Sequence, residues 1–253
     1  MPDAPRPPRR RTAAARVGAA LKGEWQRVIA VPFAELRRRG PRAIPLALVS
    51  TALVAFFRIV QEFAWGADLT RVLGGVRADL PLWLALLRTP VSLFVPAPDL
   101  PVWGALAQVL VVFGLAELIL GRVRTLVIAY LATLAGTMAA RVMIALGPDR
   151  FLGIDDSLGH VLDTGPSAAV VGLVVALAWV CRAAVLMALV WGLMIAEVAW
   201  KPNLAGREHL VAMAAVLVYV VLGETWRRGR EVREAAQWAA GTHEAKERTT
   251  ARL

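Results

Sequence analysis

The chain is poor in cysteine, and poor in charge along its middle part. Cys181 is its only cysteine, which excludes an intramolecular disulfide. Charged residues make up 19% of the 253 positions, whereas 58% are hydrophobic. A soluble domain of this length needs more charge to cover its surface, and here the charges are concentrated near the chain ends and in short turns. The composition therefore predicts an all-α, polytopic membrane protein.

The net charge of +10 arises mainly from the first 42 residues, in which acidic residues are few. No nucleic-acid-binding motif accompanies this charge, and Lys and Arg beside a membrane span are typical of the cytoplasmic side. We therefore expect the lipid bilayer as a partner, and no nucleic acid. Residues 1–42 are predicted to be a cytoplasmic basic tail, disordered from Met1 to Arg11 and forming an amphipathic interfacial helix from Val17 onwards.

Six apolar segments predict six transmembrane helices. They are 43–59, 102–120, 126–146, 167–180, a fifth segment ending at residue 200, and 209–222. As one helix, the stretch 165–200 would be about 50 Å long, whereas the hydrocarbon core is about 30 Å thick. We therefore expect a turn near Cys181 and Arg182. The segment 61–101 is interrupted by prolines and is predicted to form short helices in the outer interface.

Basic residues at both chain ends, and at the turns after even-numbered spans, predict that both termini are cytoplasmic. The predicted location is the bacterial cytoplasmic (inner) membrane. The membrane domain is predicted at 43–222, followed by a charged cytoplasmic tail at 223–253.

A possible reaction centre is indicated by polar residues at the rims of the spans, where they are costly. Ser167 opens the fourth predicted span and His209 the sixth, and both spans run inwards, so the two side chains are expected at a similar depth near the outer face. A hydroxyl beside an imidazole is the minimum arrangement for nucleophilic catalysis. Gly165 would allow an unusual turn before the helix. A serine at a helix start is also a common N-cap, and a lone histidine at a span edge is commonly interfacial.

The sequence resembles the rhomboid family of intramembrane serine proteases, especially rhomboid-like membrane proteins of high-GC bacteria. The resemblance covers about residues 43–222 and includes the long first loop and the short fourth span. Its motifs are Phe-Gly-Leu-Ala-Glu-Leu-Ile-Leu-Gly at 113–121, with Glu117 and Gly121, Gly165-Pro166-Ser167, and His209. It implies a rhomboid-like six-helix bundle in which Ser167 is the nucleophile and His209 the general base, with no third acid, metal or cofactor. The implied substrates are transmembrane segments of other membrane proteins.

The chain departs from the family at the oxyanion site. Family proteases usually carry His and Asn four residues apart on the second span, and Pro101 and Ala105 occupy those places here. The backbone N–H of Ser167 would remain as a donor, and Gln108 is the candidate for a weak substitute.

The family glycines are also replaced. Ala168 follows the nucleophile, and Ala212 and Val216 stand on the helix face after the histidine, so the fourth and sixth spans are expected to approach less closely. These departures leave a second interpretation open, in which the protein is a catalytically inactive rhomboid-like protein that binds membrane-protein clients.

Other polar residues have simpler interpretations. Glu117 is predicted to be structural, tying the end of span two to nearby backbone or to Arg122. A third function, a small transporter, would need ionisable residues near the bilayer midplane, for which Arg58 and Arg141 are the main candidates.

The loop 147–164 is acidic and contains a histidine. It could suggest a metal site or an alternative Ser-His-Asp set, but a solvated acidic loop is the preferred interpretation because a characteristic ligand spacing is missing. The residues concerned are Asp155, Asp156, His160 and Asp163.

Overall fold

A computed structural model describes residues 13–97, 101–150, 152–155, 159–160, 164–201 and 203–250. The expectations for Met1 to Arg11, Asp156 and Asp163 therefore lie outside the described residues. Within the described part the chain is helical and contains no β-strand. The helices are α1 (Ala13–Trp25), α2 (Val31–Arg39), α3 (Pro45–Gln61), α4 (Ala64–Gly74), α5 (Leu82–Ser92), α6 (Val102–Gln108), α7 (Gly114–Leu120), α8 (Arg122–Leu146), α9 (Ser167–Val180), α10 (Ala184–Trp200) and α11 (Leu204–Thr250).

Three helical segments are long and apolar enough to cross a membrane: Val102–Leu120, Arg122–Leu146 and Leu204–Glu231. A fourth span results if Val17–Ala43 and Pro45–Gln61, which are bent by 65° relative to each other, count as one. The remaining apolar helices, α9 and α10, have only 14 and 17 residues. The prediction of an all-helical protein with several candidate membrane spans is confirmed. Of the six predicted spans, three to four correspond to helices that could cross a membrane.

The observed helices follow the predicted spans closely at most of their ends. Residues 102–120 form one helical run whose middle turn, Val109–Phe113, is π-helical. The turn near Cys181 and Arg182 is present, with Arg182 at a positive φ of 51°. The last helix differs: α11 begins five residues before His209 and continues beyond residue 222 as one helix to Thr250. Its continuation carries ion pairs of the i,i+4 kind, such as Arg230 with Glu234, which stabilise a helix outside the apolar region.

The long first loop contains the short helices α4 and α5, as expected. It is tied to the bundle by Arg141 of α8, whose guanidinium donates to the carbonyl of Leu80 at 2.6 Å. Arg58 pairs with Glu62 one turn further along, at 2.7 Å. Both candidate transporter residues are thus engaged at the edge of the first loop, and the transporter hypothesis has no observation in its favour.

A buried carboxylate joins α7 to the start of α3. The Glu117 side chain is 2% exposed and accepts the N–H groups of Leu46 at 3.1 Å and Ala47 at 2.9 Å. Arg122 donates its Nε–H to the same carboxylate at 3.0 Å. Because the first N–H groups of a helix lack intrahelical acceptors and carry a partial positive charge, Glu117 satisfies the N-terminus of α3. These are the backbone and arginine contacts expected of a structural Glu117, and Gly121, with φ of 81°, provides the break before α8.

A second glutamate caps α10 in the same way. Glu24, in the N-terminal helical segment, is 7% exposed and accepts the N–H groups of Val185 at 2.9 Å and Leu186 at 3.1 Å. One turn further along, Arg27 donates to the carbonyl of Cys181 at 2.7 Å, at the C-terminal end of α9. The N-terminal segment is therefore helical, as predicted, and it is also docked on the turn between α9 and α10.

Close packing of small residues positions α9 between α8 and α11. A β-carbon on Gly172 would lie 2.6 Å from the Cβ of Ala132 and 3.1 Å from a methyl group of Val216. Helices in lipid gain little from burying apolar surface against each other, so such close contacts carry much of their association. Gly172 allows α9 to contact both neighbours.

We expect Glu117→Ala to destabilise the fold because it leaves two N–H groups and Arg122 without their acceptor. The loss should be roughly 2 kcal/mol, which corresponds to a fall in the unfolding midpoint of about 4–8 °C. The buried thiol of Cys181 provides the measurement, since a thiol-reactive dye labels it only on unfolding. Glu35→Ala is the control: Glu35 pairs with Arg38 on an accessible surface and should leave the midpoint nearly unchanged. An equal shift in both variants would contradict the capping role.

Candidate active site

The structure brings Ser167 and His209 into direct contact. Ser167 is the first residue of α9 and His209 lies in the second turn of α11. The distance between Ser167 Oγ and His209 Nε2 is 3.0 Å, which is a hydrogen bond. Both residues are half-buried, so the pair is neither enclosed in the core nor fully on the surface. The sequence predicts a similar depth for the two side chains, and the hydrogen bond between them goes beyond that prediction.

The contact depends on how tightly α11 packs against α9. Ala212 and Val216 follow His209 by three and seven residues, so they share its helix face, and both are fully buried. Val216 packs directly against α9, with a methyl group 3.1 Å from the position that a β-carbon on Gly172 would take. The space is provided from the other side, because Gly172 on α9 accommodates the side chain of Val216.

A glycine of α8 completes the packing behind the pair. A β-carbon on Gly136 would lie 3.5 Å from the Cβ of Glu208 and 3.9 Å from the Cβ of Ala168, the chain neighbours of the two site residues. Gly136 is not among the residues predicted from the sequence. Its signal was the small-residue spacing Ala132, Gly136 and Ala140, which places small residues on one face of α8.

Only one side of the imidazole is hydrogen-bonded. His209 Nδ1 is buried and has no partner within the described residues. For the Ser167 hydroxyl to donate to Nε2, the imidazole proton must reside on Nδ1. The arrangement is a two-residue dyad, whose imidazole is oriented by helix packing and by Ser167 itself.

Gly165 shapes the turn that leads into Ser167. Its φ is 116°, a conformation that disfavours any residue with a β-carbon. Its N–H donates to the carbonyl of Ser92 at 3.1 Å, which ties this turn to the C-terminal end of α5. The first loop therefore holds the turn that precedes Ser167. Glycine is required at position 165 by its backbone angle, since a β-carbon there would contact nothing closer than 3.9 Å.

The start of α9 offers backbone donors for a developing negative charge. The N–H groups of Ser167 and Ala168 lie in the first turn of the helix, where intrahelical acceptors are missing. The side chain of Gln108 makes no hydrogen bond within the described part of the chain, and the π-helical turn after it, Val109–Phe113, packs against α9. The role of Gln108 as a weak substitute donor stays a prediction. Side-chain donors at Pro101 and Ala105 are missing, as the sequence shows.

The other predicted site residues lie elsewhere. Glu117 and Gly121 stand at the opposite end of the bundle, since Gly121 precedes Gly136 by fifteen residues, or about 22 Å of helix. His160 Nδ1 lies 3.1 Å from a carboxylate oxygen of Asp79 in the first loop. Among the residues that the structure describes, no group of three or more His, Cys, Asp or Glu side chains could hold a metal ion.

We expect Gly172→Leu to disrupt the dyad because the added side chain would overlap Ala132 and push α9 away. Overpacking a core costs about 1–3 kcal/mol, so the unfolding midpoint should fall by about 2–12 °C. Cys181 labelling during a thermal ramp measures it. The matched control is Gly192→Leu on α10, where a β-carbon would meet nothing within 4 Å. Equal stability of the Gly172 and Gly192 variants would contradict the lack of space for a side chain at Gly172.

Comparison with protein-family models, with curated proteins and with solved structures found no match to this chain. A function must therefore be inferred from the residues and the geometry of the chain itself.

Proposed function

We propose that the protein is a rhomboid-type intramembrane serine protease that uses Ser167 as nucleophile and His209 as general base. The observation that carries this proposal is the 3.0 Å contact between Ser167 Oγ and His209 Nε2 at the rim of a tightly packed helix bundle. Two helices from distant parts of the sequence converge to form it, with Gly165 and Gly172 at positions where larger residues are strained or excluded.

The chemistry follows from the dyad. Ser167 Oγ attacks the carbonyl carbon of a peptide bond while its proton passes to His209 Nε2. The oxyanion of the tetrahedral intermediate accepts hydrogen bonds from the N–H groups of Ser167 and Ala168. The imidazolium then protonates the departing amine, which leaves an acyl group on Ser167. Water, deprotonated by His209, hydrolyses this ester and restores the enzyme.

The membrane arrangement that we propose has six spans, formed by α3, the run 102–120, α8, α9, α10 and α11. With 14 residues, α9 reaches only about 21 Å, so it needs protein on all sides. Its packing against α8, α10 and α11 supports this. Arg122, Arg124 and Arg182 lie at one end of the bundle, which by the positive-inside rule is the cytoplasmic end of a bacterial inner-membrane protein, with both termini in the cytoplasm.

This orientation places the dyad towards the outer side of the membrane. Substrates would be transmembrane segments of other membrane proteins that enter laterally from the lipid and unwind at the start of α9. A helix must unwind before hydrolysis because its carbonyl groups are otherwise hydrogen-bonded.

A catalytically inactive, client-binding protein is the second candidate function. The observation in its favour is the lack of side-chain oxyanion donors at Pro101 and Ala105. Loss of one such donor typically lowers the rate by about 100- to 1000-fold. A protease of this construction is therefore expected to be slow.

The first test is covalent labelling of the purified full chain by a fluorophosphonate, which reacts with an activated serine. We expect Ser167→Ala to abolish labelling and His209→Gln to slow it at least about 100-fold, since general-base assistance contributes about that much. Ser50→Ala is the matched control, because Ser50 is a buried serine on α3 whose hydroxyl has no hydrogen-bond partner in the described part of the chain. It should label as the unaltered protein does.

Cleavage of a co-expressed transmembrane substrate, lost in Ser167→Ala, would decide in favour of the protease. Equal labelling of unaltered protein and Ser167→Ala would refute it. Absence of labelling and cleavage, with capture of the same transmembrane segments by both forms, would favour client binding.

A further inference from the structure

A groove lies at the end of the bundle opposite the dyad. The dyad stands at the first residue of α9, and the groove is formed at its last residues, about 20 Å away along the helix. The cavity volume is about 700 Å³. It is enclosed by the start of α8, the turn between α9 and α10, and the middle of α11.

The groove carries a strong excess of positive charge. Four arginines and one glutamate line it: Arg124, Arg182, Arg227, Arg228 and Glu224. Glu224 is already engaged, since it accepts the indole N–H of Trp179 at 2.9 Å and pairs with Arg228. The side chains of the other three arginines make no hydrogen bond or ion pair within the described residues. Arg182 also interacts with the charge of Glu224, without a hydrogen bond or ion pair to it. The donors of three guanidinium groups are therefore available to an external anion.

The backbone shows that Arg182 is held in place at this site. Its φ is 51°, a conformation that residues other than glycine rarely adopt. The turn is fixed from its other side by Arg27, which donates to the carbonyls of Cys181 and Arg182. The polar backbone of the turn is thus satisfied by the N-terminal helix, and the Arg182 side chain lines the groove.

The remainder of the lining is apolar apart from Thr225, whose hydroxyl donates to the carbonyl of Leu222. Ala178, Val180, Met187, Val220 and Val221 form its apolar wall. A groove lined by both guanidinium groups and an apolar wall matches a molecule with an anionic head and a hydrocarbon chain. A free phosphate would satisfy the guanidinium groups and leave the wall uncovered.

We propose that this groove is a binding site for an anionic phospholipid, with its phosphodiester headgroup on the three available arginines and an acyl chain along the apolar wall. Guanidinium groups are well suited to phosphate oxygens because their donors form a planar fork. Basic pockets between transmembrane helices on the cytoplasmic side are known to hold such headgroups. The proposal needs the bundle to be in a membrane, and it does not depend on the dyad being catalytic.

The test is native mass spectrometry of the full-length protein released from detergent micelles in the presence of phosphatidylglycerol or phosphatidylcholine. We expect phosphatidylglycerol to be retained in preference to phosphatidylcholine. The double variant Arg182→Gln, Arg227→Gln should weaken that retention roughly thirtyfold, given the usual contribution of each basic residue near an anionic surface. The control is Arg37→Gln, Arg42→Gln, which removes the same charge from exposed residues outside the groove and should have little effect.

Three outcomes would overturn the proposal. They are equal retention of the two lipids, equal weakening by the groove and control variants, and displacement of the lipid by an equal concentration of glycerol phosphate. The last would assign the arginines to a free phosphate. If the double variant does not fold, as judged by Cys181 labelling, Arg227→Gln on the exposed face of α11 replaces it, with an expected weakening of roughly fivefold.

Discussion

The close approach of α9 to α8 and α11 is the constraint on which the rest of the structure depends. It requires the missing side chain of Gly172, whose neighbours leave no room for a β-carbon. Through this packing the dyad is set at one end of α9 and the arginine groove at the other. A short helix in the centre of the bundle thus connects two chemically different sites, and neither could form if α9 stood further from its neighbours.

Carboxylate-to-backbone caps hold the ends of the helices. Glu117 and Glu24 each accept two N–H groups at the start of another helix, and Arg27 donates to carbonyls at the end of α9. Each charge has the sign that the helix terminus favours. Buried polar backbone is costly in an apolar medium, so these contacts satisfy groups that water would satisfy in a soluble protein.

Much of the fold was predictable because apolar length is a local property. The bounds 102–120 and 167–180 and the turn at Cys181 and Arg182 followed from the order and length of the spans. The same order predicted a similar depth for Ser167 and His209, although not their contact. The role of Glu24 was not predictable, since its partners lie 161 or more residues away and nothing local distinguishes it from a surface acid. The contact between Gly172 and Val216 was not predicted, because a sequence does not reveal which of two helices supplies the small residue. The extension of α11 to Thr250 was missed because its stability outside the apolar region comes from helix propensity and i,i+4 pairs.

The docking of the N-terminal helix on the turn between α9 and α10 has a consequence for biogenesis. Glu24 leaves the ribosome 161 residues before Val185, the residue whose N–H it accepts. At a synthesis rate of about 5–20 residues per second, the two are separated by about 8–32 s. Throughout that interval the helix has no turn to bind. Docking of the first helix is therefore a late step of assembly, since it must wait until the turn between α9 and α10 has been made.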